Sequence, residues 1–246
     1  MIPTKLRTRV PVESLAELDW RDVNPGYEKY GYGPYGDNCQ RVVQAVELRA
    51  RGYDVYAAPK GDHDGTCVLP TIALNWVDGN NKHRRFTHVS GLATGTEHIL
   101  ETYPVGARFF VAGTWKGVNS GHIWNAEVIS SNGGKSVRFF DCQTGSDASK
   151  YLERMADGET YYMRVDDMRP AMSVLGGKPD VDANLPDMTP SVLPSTVKPP
   201  EPDTTDIIIW GPLQAFADWD KISGEYFTYD TSSVLAPVVK HSDGIW

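Results

Sequence analysis

Apolar positions in the first third of the chain recur with the period of a helix. Over residues 38–51, Cys39, Val42, Val43 and Val46 fall at i, i+3, i+4 and i+7, which predicts an amphipathic helix. Asp37 or Asn38 can cap its start, and Gly52 stands where the chain would leave it. A loop rich in Gly, Pro and Tyr precedes it, and residues 53–59 (YDVYAAP) read as a short strand stopped by Pro59. The stretch 61–82 is polar around an apolar island at 68–76 and predicts no clear element, while 96–102 predicts a short helix before Pro104. The period then changes to two. Residues 107–114 and 122–130 read as strands, Asn132-Gly133-Gly134 as a hairpin turn, and 137–141 as the returning strand, ended by a QTGS turn. A short helix at 149–155 and a strand at 160–165 follow. One helix ahead of a mostly antiparallel sheet predicts an α+β fold.

Proline and charge change the picture beyond that body. The chain has 246 residues and a formal net charge of −8. All of that excess lies in residues 180–246, which hold three lysines (Lys198, Lys221, Lys240), no arginine and eleven carboxylates. Seven prolines fall between Pro179 and Pro202, and each fixes φ and removes a backbone donor. The expected organisation is a body at 1–175, an extended Pro-rich linker at 176–206 and an acidic, aromatic docking segment at 207–246. The acidic balance argues against a nucleic-acid binder, and no apolar run is long enough to span a membrane. The N-terminus has no apolar core of a secretory signal. Three cysteines exclude a disulfide scaffold.

Cys39 draws attention because it falls in the first turn of the predicted helix. The positive end of the helix dipole and the unpaired N–H groups there favour a thiolate, and the same N–H groups can face an oxyanion during acyl transfer. A nucleophilic cysteine needs a base held by a third group. His122 begins one hairpin strand and Asp141 ends the other, so both lie near the open end of that hairpin, within a few residues of register. The order Cys, His, acid is that of papain-like enzymes.

Four motifs in this order carry a resemblance. Asn38-Cys39-Gln40-Arg41 with the following Glu47-Leu48-Arg49 and Arg51-Gly52-Tyr53-Asp54-Val55, then Gly121-His122, then Asp141-Cys142-Gln143-Thr144-Gly145, then Arg164-Val165-Asp166, resemble the papain-fold toxin family. That family is also described as Tox-PL, or protein-glutamine-deamidase-like. The resemblance spans about 24–170 and implies a papain-like fold and cysteine-dependent hydrolysis of an amide. It implies Cys39, His122 and Asp141 as catalytic residues, with Asn38 and Gln143 as candidates to meet substrate. The reaction it implies is deamidation of a glutamine side chain in a target protein, without a cofactor; proteolysis would use the same triad. Cys142 stands where the family has proline, and reads as a packing residue or as a thiol able to pair with Cys39. Such domains resemble toxin modules and domains attached to phage head proteins. The expected setting is therefore a bacterial cytoplasm or a phage virion, with delivery into a target cell.

Other readings remain beside these. Asn38 can be a simple cap, and Asp141 can cap the QTG turn. His63 and Cys67, with Asp62 and Asp64, lack the second ligand pair of a zinc site, so no metal is expected. Tyr27, Tyr30, Tyr32 and Tyr35 can line a cleft by Cys39 or pack beneath their loop. The rival to an enzyme is a virion-associated structural protein whose arm docks on a basic protein surface or a capsid or tail neighbour.

Overall fold

The computed structural model describes residues 9–31, 33–60, 69–118, 120–175 and 191–199. Their elements follow the chain as helices α1 (Trp20–Val23), α2 (Pro25–Tyr30) and α3 (Cys39–Ala50), strand β1 (Val55–Ala57), helix α4 (Leu69–Leu74), strands β2 (Trp76–Val77) and β3 (Thr87–Val89), and helix α5 (Leu92–Thr102). Strands β4 (Arg108–Trp115), β5 (Gly121–Ser131), β6 (Gly134–Phe140), β7 (Met155–Arg164), β8 (Arg169–Pro170) and β9 (Val192–Pro194) complete it. Five of them form one antiparallel sheet in the order β3-β7-β4-β5-β6. The fold is α+β and papain-like, with α3 packed on that sheet.

Alternation along β4 and β5 divides the core. Phe110, Ala112 and Ile123 face α3, with Val42, Val43 and Val46 in the same cluster. Phe109, Val111, Trp124, Ala126 and Val128 face the other way, toward Leu92 and Ile99 of α5. The turn from β5 to β6 has two residues, Asn132 at φ 41° and Gly133 at φ 83°. Positive φ at both positions is what a tight hairpin with right-handed strand twist requires, and Asn-Gly supplies it with little strain.

The structure corrects the amphipathic reading of α3. All twelve of its residues are buried, the polar ones included. Its second face is covered by β1 and by 191–199, which carries β9 antiparallel on β1. Each polar side chain there has a partner. Glu47 accepts from Arg51 at 2.7 Å and from two nitrogens of Arg108 at 2.8 Å. Gln44 donates to Ser191 Oγ, and Asn75 donates to both. Arg49 donates to the Val55 carbonyl and to Asp22. Buried charges persist in a core only when paired in this way.

Other boundaries move for physical reasons. The helix expected at 96–102 begins earlier, at Leu92, because Gly91 rather than Thr96 starts it. The short helix expected at 149–155 is a 3₁₀ segment, Ala148–Glu153, so Met155 already belongs to β7. The apolar island at 68–76 contains α4 and the start of β2. Within the stretch read as a linker, Ser191 and Val192 are buried and 192–194 pairs with β1. Pro194 fits there because a two-stranded edge leaves its missing donor harmless. The docking segment read at 207–246, and His63 and Cys67, lie outside the described residues.

Candidate functional site

Cys39 is the first residue of α3, with Asn38 in the cap position. The Asn38 side chain makes no capping bond to the helix. It points inward instead: its Nδ2 donates to Asn24 Oδ1 at 3.1 Å and to the Ala58 carbonyl at 3.0 Å. Asn24 Nδ2 in turn donates to the Tyr35 carbonyl at 3.0 Å and to the Gln143 carbonyl at 2.9 Å, and Gln143 Nε2 reaches Asn38 Oδ1 at 3.4 Å. These three buried amides tie the start of the Cys39 helix to the turn after Asp141. Asn38 has no exposed surface and Gln143 is 4% exposed, so both lie beneath the surface.

His122 is the second residue of β5. Gly121, just before it, pairs closely with β4: a Cβ there would come 2.9 Å from the Gly113 carbonyl oxygen. A side chain at 121 would push the strand start away, which explains the Gly-His pair. Asp141 follows the last residue of β6. Phe140 pairs with Asn125, so an ideal continuation would set Asp141 against Trp124, one diagonal step from His122. That step suffices, without a bulge. His122 Nε2 donates to Asp141 Oδ2 at 3.0 Å, which leaves Nδ1 as the nitrogen for the thiol. The side chains of His122 and Cys39 are in hydrogen-bond contact. Gln40 Oε1 lies 3.8 Å from Cys39 Sγ.

Asp141 is anchored at both oxygens. Oδ1 accepts from the Gln143 backbone N–H at 3.0 Å. Oδ2 accepts from His122 and from the hydroxyl of Tyr151. The imidazole is also stacked between two indoles, with Trp115 at 5.8 Å and Trp124 at 6.0 Å. Tyr151 meets its edge at 5.5 Å.

The charges follow from these contacts. Burial works against an imidazolium, but the bonds to Asp141 and Cys39 outweigh it and raise His122 to about 10. Burial also works against the Asp141 carboxylate, yet His122, Tyr151 and the Gln143 N–H hold it below the usual carboxylate range. Burial first, then Asp141 and Asp19, pushes the Cys142 thiol up to about 12. Cys142 sits in the same core cluster as Cys39, and both are free thiols. A thiol, an imidazolium and a carboxylate in one chain, each with a small exposed face of 6–9%, can carry out nucleophilic attack with proton return to a leaving group.

Sequence reasoning missed Tyr151, Trp115, Trp124 and Asn24. Only the cap motif Asp147-x-Ser149 signalled the 3₁₀ turn that presents Tyr151, and nothing signalled Asn24. Of the tyrosines read as a cleft, Tyr35 is buried and stacked on Tyr30 at 5.9 Å, beneath the loop; Tyr32 lies outside the described residues. A groove of about 530 Å³ runs along β6 past Leu18, Trp20 and Asp141, but neither Cys39 nor His122 lines it.

Comparison with known proteins supplies the context. Residues 37–146 match the family described as papain fold toxin 1, glutamine deamidase. No curated protein matches the chain. Among solved structures it is similar to two variants of the Salmonella effector SpvD. The first is 17% identical over 68% of this chain and 85% of that one, with a TM-score of 0.43. The second is 17% identical over 55% and 74%, with a TM-score of 0.36. Among the described residues, no helix is long and apolar enough to cross a membrane.

Proposed function

From a chain whose residues 37–146 belong to the papain fold toxin 1, glutamine deamidase family, a family of cysteine hydrolases, we propose a protein glutamine deamidase that works through Cys39, His122 and Asp141. The observation that carries this reading is the His122 hydrogen bond to Asp141 on one side and its contact with Cys39 on the other. Cys39 attacks the side-chain carboxamide as a thiolate. The helix start favours charge on the thiolate and on the tetrahedral oxyanion. His122 gives its proton to the departing ammonia, then takes one from the water that hydrolyses the thioester. Asp141 keeps the imidazole turned to Cys39 and stabilises its charged form. Asn38 and Gln143 act from beneath, fixing the helix start against the Asp141 turn, because buried amides with these partners have little left to offer a substrate.

The substrate in this reading is a protein that the toxin meets after delivery into a target cell. Residues 180–246 carry the whole net charge of the chain, which favours docking of that segment on a basic protein surface. The same feature favours the second reading, a virion-associated protein whose arm binds a capsid or tail neighbour. Proteolysis is the alternative chemistry for the triad. Candidate target proteins incubated with the enzyme distinguish these readings. Deamidation releases ammonia and converts glutamine to glutamate without new chain ends. Proteolysis gives new N-termini. Neither product, with Cys39→Ala indistinguishable from wild type, would leave the structural role.

A further inference from the structure

We propose that Tyr151 is a positioning residue of this site, holding Asp141 in the orientation that engages His122; this rests on the triad reading above. Three observations point to it. Its hydroxyl donates to Asp141 Oδ2, the oxygen that also accepts from His122 Nε2. Its ring contacts three rings of the site at once: Trp115 at 5.1 Å, Trp124 at 5.2 Å and His122 at 5.5 Å. It is buried on a 3₁₀ turn whose start is fixed by Asp147, which accepts from the Ser149 N–H and hydroxyl.

The physical role follows from how a carboxylate is held. The terminal torsion of Asp is broad, so one hydrogen bond to Oδ1 leaves the group free to rock. The Gln143 N–H fixes Oδ1 and the Tyr151 hydroxyl fixes Oδ2. With both in place, Oδ2 stays aimed at Nε2, and the imidazolium stays beside Cys39. The charged and titratable groups facing this centre are Cys39 from α3, Asp37 just ahead of α3, His122 from β5, Asp141 and Cys142 after β6, Tyr151 itself, and Arg154, which lies over Trp115 at 4.6 Å. Besides His122 itself, Tyr151 alone among these groups donates to Oδ2. Loss of the hydroxyl therefore loosens the carboxylate, then the imidazolium, and last the stabilisation of the Cys39 thiolate.

Tyr151→Phe keeps the ring and removes only the donor. The test is the rate of Cys39 alkylation by iodoacetamide against pH, in wild type, Tyr151→Phe, Asp141→Asn and the double variant, with thermal melting alongside. Tyr151→Phe moves the midpoint toward that of an ordinary thiol by on the order of one pH unit, the scale of a hydrogen bond to a charged group. Asp141→Asn moves it further, and Tyr151→Phe adds nothing in the Asp141→Asn background, because the hydroxyl acts through that carboxylate. A Tyr151→Phe midpoint equal to wild type, while Asp141→Asn shifts, overturns the proposal and leaves the triad standing. Equal shifts from Tyr151→Phe with and without Asp141 also overturn it, since the effect would not run through the carboxylate. No shift in any variant refutes the triad reading itself.

Discussion

Two truncations, one after residue 190 and one after residue 199, differ only in the segment that closes α3 from behind. Val192 is 1% exposed, and burying a valine side chain contributes about 1.5–3 kcal/mol. Ser191 accepts from Gln44 at 3.1 Å and Asn75 at 3.2 Å, its N–H donates to the Val174 carbonyl, and its carbonyl accepts from the Ala58 N–H. Buried groups that lose such partners cost about 1–3 kcal/mol. The expected difference between the truncations is therefore about 3–5 kcal/mol, a large share of the total for a domain with roughly 5–15 kcal/mol of stability. At this chain length each kcal/mol moves the melting temperature by about 2–4 °C, so the shorter form melts on the order of 10 °C lower. Val192→Ala in the full chain removes two methyl-sized groups at about 0.8 kcal/mol each, and before any cavity term this lowers Tm by about 3–6 °C. Differential scanning calorimetry reads all three. Coincident melting curves for the two truncations, with Val192→Ala unchanged, would refute the reasoning and restore a body that ends at 175.

Glu47→Gln leaves Arg51 and Arg108 without their shared carboxylate, and urea unfolding shows a loss of about 3–5 kcal/mol. Gly121→Ala forces β5 off the Gly113 carbonyl, so Cys39 alkylation slows while overall helix content by circular dichroism holds. An NMR titration of wild type is expected to find His122 protonated up to about pH 10, with the midpoint lower in Asp141→Asn. Because that folded-state value lies above the unfolded one of about 6.5, the stability it contributes is full below pH 6.5 and is lost as pH rises through 10. Cys142 stays unlabelled by a thiol reagent at neutral pH until the protein unfolds, because burial suppresses its thiolate.

Where the sequence carried a local signal, the fold was legible. The Asn132-Gly133 turn sets its own hairpin, and the hairpin sets the register that brings Asp141 within one diagonal step of His122. The helix at Cys39 announced itself through Val42, Val43 and Val46. What stayed hidden depends on contacts between distant segments. Gln44, Glu47 and Arg49 look like a solvated face, and only their partners at 75, 108, 191 and 22 show that the face is buried. β9 is three residues in a proline-rich stretch, too short for its own pattern to show. Tyr151 and Asn24 meet the site through folding alone, one from a 3₁₀ turn and the other from the loop before Pro25. Asn38 and Gln143 read from the sequence as candidates to meet substrate, and their inward orientation is a property of the packing around Asn24.

The central claim is that Cys39 is a nucleophile activated by His122. Alkylation of Cys39 by iodoacetamide, followed against pH by mass spectrometry of its peptide, tests it most directly in wild type and in His122→Gln, whose amide can donate to Asp141 but takes up no proton to become a cation. The account predicts a wild-type midpoint well below the ordinary thiol value of about 8.5, moving up toward it in His122→Gln. A midpoint near 8.5 in both proteins would contradict it.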